Sequence, residues 1–112
     1  MAPLQLGHFM QHPLLRADGS NFALWYERLR EFLIEQGLIY TIEEPIGAYP
    51  GDFAINWNEW QDRRDLYNEV KYTVFFSMVA ELRDQLTGYE PDEMIFLLKE
   101  MFSSQVRRMA HV

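Results

Sequence analysis

The chain has 112 residues, which gives room for one domain and a core of ordinary size, since a chain of this length buries roughly two-thirds of its unfolded surface. It contains no cysteine, which excludes disulfide frameworks, thiolate zinc sites and cysteine nucleophiles and leaves the redox compartment open. Hydrophobic content of 48%, with 15% aromatic residues, is too rich for a disordered chain, and 17 acidic against 10 basic residues leave a net charge of −7.

Residues 1–17 are apolar without a clean period: Leu4, Leu6, Phe9, Met10, Leu14 and Leu15, punctuated by Pro3, Gly7 and Pro13. Neither helix nor strand is supported, because Pro13 interrupts one and the spacing spoils the other. So apolar an arm either packs across its own domain or docks onto a neighbouring copy. His8 and His12 stand four apart, but a metal needs more ligands than two and no third is evident nearby. Both read as surface histidines.

Asp18-Gly-Ser-Asn-Phe-Ala-Leu-Trp25 opens a helix. Gly19 and Ser20 form turns, and the Ser20 or Asn21 side chain can accept a hydrogen bond from the first free N–H groups. Phe22, Trp25, Tyr26, Leu29, Phe32 and Leu33 then fall on one face. Gly37 stops the helix, because glycine reaches the left-handed conformation without a Cβ penalty. Trp25 is the expected anchor against a central 72–82 helix. Next, Leu38-Ile-Tyr-Thr-Ile42 reads as one or two helical turns or a brief strand. Residues 45–53, with two prolines and two glycines, read as a loop that exposes Tyr49 and Phe53.

Asn56 can cap a long helix from Trp57 toward Leu86, in which Trp57, Trp60, Tyr67, Val70, Val74, Met78 and Leu82 follow helical spacing. Unbroken, it would span roughly 45 Å, more than a compact domain needs, so a kink is expected near Asp65 or Val70. Residues 72–80 are apolar nearly all round, which predicts an enclosed core helix. Trp57 and Trp60, at a helix start beside a loop, read either as core or as interface anchors. Gly88 ends the segment. Pro91 suits the first position of a last helix, with Asp92 and Glu93 in its first turn and Met94, Leu97, Leu98, Met101 and Phe102 as its stripe. Val112 follows no clear stop signal, which leaves truncation at the C-terminus open.

The chain shows no phosphate-binding glycine loop, no G-x-G-x-x-G run and no serine in a nucleophile elbow. Glu43-Glu44 and Asp92-Glu93 are adjacent carboxylates that rarely converge on one substrate, and His111 lies at the very end, where positioning is poorest. No enzyme activity, cofactor or metal is expected. Methionines Met78, Met94 and Met101 read as core fillers, with Met109 the exception. Arg28/Arg30, Arg63/Arg64 and Arg107/Arg108 read as solvated helix faces and intrahelical pairs. An acidic chain repels phosphate backbones unless its cations gather on one face, so RNA binding by this segment alone is not expected. No apolar run approaches the ~20 residues of a membrane span, and neither a basic n-region nor a continuous apolar core marks a secretory signal. The expected location is the cytoplasm.

Taken together, Leu15, Gly19, Asn21-Phe22, Trp25, Leu29, Leu33, Gly37-Leu38 and Ile42, then Trp57, Trp60 and Asp65, then Leu82-Arg-Asp-Gln-Leu86, Gly88-Tyr89, Glu93-Met94, Leu97-Leu98 and Met101-Phe102, form a pattern. It resembles the N-terminal part of the Gag polyprotein of copia-type LTR retrotransposons. The similarity spans residues 15–102, and the run from Leu15 to Trp25 is its most distinctive part. The resemblance implies the N-terminal half of a capsid-like, all-helical domain that self-associates into virus-like particles around element RNA. In that family a second helical half, and often a cysteine/histidine zinc knuckle, lie further along. The knuckle is absent from this cysteine-free sequence. A domesticated Gag-derived module that binds a host partner or peptide would share the same features. The resemblance supplies no catalytic residues.

The expectation is therefore an all-α domain, a small bundle of about four main helices over 18–112, preceded by an N-terminal arm at 1–17. The partner expected is a second copy of the chain or a host protein. Phe9, Met10, Tyr49, Phe53, Trp57 and Trp60 are the candidate interface residues. Gly19, Asn21, Phe22, Trp25, Leu29 and Leu33 are the family-signature core.

Overall fold

A computed structural model describes residues 9, 12–48, 50–51 and 56–103. Among these residues lie five helices and no strand: α1 (Phe22–Gln36), α2 (Tyr40–Glu43), α3 (Trp57–Phe76), α4 (Ala80–Leu86) and α5 (Pro91–Met101). The chain is a small all-α bundle, as its periodicity predicts.

In α1 the residues Phe22, Trp25, Leu29, Phe32 and Leu33 are buried, the stripe given by the three- and four-residue spacing. Its end is as expected. Gly37 sits at φ 73° and donates to the Ile34 carbonyl, while the Leu38 N–H reaches back to Leu33, which satisfies carbonyls that a helix end leaves free. Its start differs. The Asn21 side chain makes no cap hydrogen bond. Instead its Oδ1 accepts from the Arg16 N–H at 2.9 Å and its Nδ2 donates to the Leu14 carbonyl at 2.9 Å. Asn21 thus ties down the chain that precedes the helix rather than the helix itself.

That preceding chain belongs to the core. Leu15 is fully buried and forms an isolated parallel bridge with Met78, its N–H donating to Ser77 and its carbonyl accepting from Val79. Phe9 is also buried, its ring 5.5 Å from that of Phe32. Of the alternatives for this segment, Phe9 and Leu15 take the first and pack across their own domain. His12 is exposed, its ring 6.1 Å from Phe9.

The segment 38–42 leads into the single turn α2, where Thr41 Oγ1 donates back to the Leu38 carbonyl and Thr41 and Ile42 are buried. The expected long helix from Trp57 to Leu86 is two helices, and the break falls at 77–79 rather than near Asp65 or Val70. The cause is competition for the Ser77 carbonyl. It accepts from the Leu15 N–H at 2.9 Å and from the indole Nε1 of Trp25 at 3.0 Å. A carbonyl with two outside donors no longer needs the N–H four residues on. Val79 then turns extended, at φ −67° and ψ 158°, before α4 begins.

The enclosure expected for 72–80 is likewise only half realised. Thr73, Val74, Ser77 and Met78 are buried, while Tyr72 and Phe76 are 55% and 47% exposed. Helix α5 starts as expected, with Pro91 in its first turn and a reciprocal capping box between Glu90 and Glu93. Its buried stripe is Met94, Ile95 and Leu98. Met101, expected inside, is exposed, and Phe102 lies half-buried against Phe22, ring centroids 5.5 Å apart.

Candidate interaction surfaces

The signature residues act inside the domain. Phe22, Trp25, Leu29 and Leu33 are buried. Gly19 is buried beneath the Phe102 ring, which stands where a Cβ at that position would go. Of the interface candidates, Phe9 is enclosed, a correction to its expected place at a surface. Met10, Tyr49 and Phe53 lie outside the described residues, as do His8, His111, Arg107, Arg108 and Met109. Trp57 and Trp60 are half-buried in the first turn of α3. The Trp57 Nε1 is buried with no hydrogen-bond partner among the described residues.

The arginines of α3 serve local order. Arg64 donates to Asn68, one turn on, and pairs with Glu90, which Lys71 also approaches at 3.6 Å. Glu90 thereby joins the start of α5 to the flank of α3, and Arg63 donates to the Ile46 carbonyl at 3.2 Å, holding the loop after α2.

Two surfaces stand out among the described residues. The first is an open groove of about 780 Å³ between α1, α2 and the outer side of α5. At one end Lys99 sits 4.9 Å and Arg30 5.8 Å from the centroid of the Tyr26 ring, with Arg30 also 3.8 Å from Glu43. At the other end lie Asp92 and Glu93. Phe96, 62% exposed, forms part of its wall. Burial raises the Asp92 carboxyl above its ordinary range, partly offset by the N–H groups of Asp92 and Glu93, and its Oδ1 has no partner among the described residues. The groove thus brings together Glu43, Asp92 and Glu93, three of the four carboxylates that the sequence presents as adjacent pairs. They are divided between an ion pair, a desolvated wall and a helix cap.

The second surface is on α3. The rings of Tyr72 and Phe76 stack at 6.3 Å, Phe75 meets Phe76 edge-on at 5.3 Å, and the Arg83 guanidinium lies 5.5 Å over Phe76. A small hollow lined by Lys71, Phe75, Gly88 and Met94 opens beside Tyr72. Sequence reasoning misses this patch because the apolar neighbours of Tyr72 and Phe76 disguise it as core. A signal was present. Asp62, Asp65, Glu69, Tyr72 and Phe76 fall within an arc of about 80° at 100° per residue, and acids that continue a stripe mark it as an outer face.

Among the described residues no three histidine or acidic side chains are grouped to hold a metal ion, and no helix is long and apolar enough to cross a membrane. No protein-family model, curated protein or solved structure matches the chain.

Proposed function

We propose that the chain is a structural, self-associating domain: the N-terminal capsid region of a copia-type retrotransposon Gag protein, making protein–protein contacts in a virus-like particle in the cytoplasm. The observation that carries this reading is the Tyr72–Phe76 ring pair, stacked and left about half-exposed on α3, with the Phe75 ring and the Arg83 guanidinium against it. Large aromatic side chains standing together at a surface are the usual anchors of protein interfaces. The pattern from Leu15 to Phe102 supplies the class of assembly. Light scattering over a concentration series, on this chain and on a longer product of the same reading frame, tests the reading. The average mass rises with concentration, and strict monomers in both samples would remove the assembly claim.

The α5 groove favours a second reading, a domesticated module that takes a partner peptide between Tyr26 and Phe96. One saturable partner in a pull-down, with no particles in electron micrographs, would select it over the first.

A further inference from the structure

We infer that the outer stripe of α3 is a two-fold interface with a second copy of this chain, in which Tyr72 and Phe76 stack against Phe76 and Tyr72 of the other copy and Glu69 of each pairs with Arg83 of the other. The inference rests on the self-association reading and names the surface that performs it.

The stripe has an order that suits an antiparallel two-fold. Two exposed rings lie at its C-terminal end, an exposed acid, Glu69, stands one turn before them, and a cation, Arg83, is held over the last ring. Neither Glu69 nor Arg83 makes an ion pair among the described residues. An isologous interface must be self-complementary, so each feature has to meet its opposite across the axis. If Tyr72 faces Phe76 of the other copy, Glu69, three residues before Tyr72, falls about 4.5 Å beyond that Phe76 along the helix axis at 1.5 Å rise per residue, past the end of the other copy's α3. Arg83, on α4 after that end, holds its guanidinium 5.5 Å from the Phe76 ring centroid. The register that stacks the rings therefore brings both charge pairs together, one at each edge of a four-ring centre. A parallel pairing would set Glu69 against Glu69.

Charge complementarity also selects the occupant. A chain of net charge −7 repels its own copies in most orientations. This face places acid on cation twice, at the two edges of the ring cluster, where the pairs fix register and orientation.

Sedimentation velocity over a concentration series, with circular dichroism to verify folding, tests the interface on the whole chain. Phe76→Ala weakens self-association at least about tenfold, as expected for an aromatic anchor. Glu69→Arg and Arg83→Glu, surface changes that leave the core untouched, each weaken it to a similar degree, and the double variant recovers most of the loss because both pairs are restored in reverse. Single reversals that weaken association without recovery in the double would overturn the pairing. Unchanged association in all variants would overturn the α3 interface and leave the self-association reading standing. A wild-type chain that stays monomeric throughout would overturn both.

Discussion

At the scale of single residues, two glycines with nearly the same backbone do different work. Gly19 and Gly37 have φ of 70° and 73°. A Cβ on Gly37 meets nothing within 4 Å, whereas one on Gly19 would stand 2.1 Å from the Phe102 ring. Gly37→Ala therefore carries only the left-handed penalty of about 1–2 kcal/mol. Gly19→Ala adds overpacking and costs about 2–5 kcal/mol in all. Urea denaturation of the two variants checks the difference, and equal losses would show that Phe102 moves aside freely. Both glycines are visible in the sequence as turn formers. What makes Gly19 stricter is a ring 83 positions away, which no local pattern carries.

At the scale of elements, the break between α3 and α4 depends on two donors to Ser77, the Leu15 N–H and the Trp25 indole. Trp25 is buried, and its Nε1 donates to the carbonyl and hydroxyl of Ser77 at 3.0 and 3.2 Å. Trp25→Phe keeps most of the apolar contact but leaves the Ser77 oxygens one donor short, which costs about 1–3 kcal/mol. Trp25→Ala costs more, about 3–5 kcal/mol, as a large core truncation. Thermal unfolding of both variants orders them, and full stability in Trp25→Phe would show that the Leu15 N–H alone satisfies Ser77. The helices with an apolar stripe and local end signals, α1 and α5, are legible in the sequence. Gly37 stops one, and Pro91 with Glu93 starts the other. The break at 77–79 is not legible, because the residues that cause it, Leu15 and Trp25, lie more than fifty positions upstream. For the same reason the exposed face of α3 hides in an apolar run. Thr73, Val74 and Met78 are drawn inward, Tyr72 and Phe76 outward, and composition alone does not separate them.

At the scale of the whole molecule, the N-terminal segment decides which routes to assembly are open. If residues 1–17 were a detachable arm, copies could associate by exchanging it. The packing argues against exchange at small cost, because Phe9 and Leu15 are buried in the common core and Leu15 hydrogen-bonds on both sides of Met78. Removing two such side chains costs roughly 5–10 kcal/mol, the same order as the full stability of a small domain. A chain that begins at Asp18 should therefore lose its cooperative thermal transition, followed by near-ultraviolet circular dichroism, while keeping part of its helical signal. If it melts as sharply and at the same temperature as the full chain, the segment is dispensable to the fold and exchange becomes the simpler route to association. If the transition is lost, the first seventeen residues complete the monomer. Self-association then has to proceed between finished domains, on surfaces such as the outer stripe of α3.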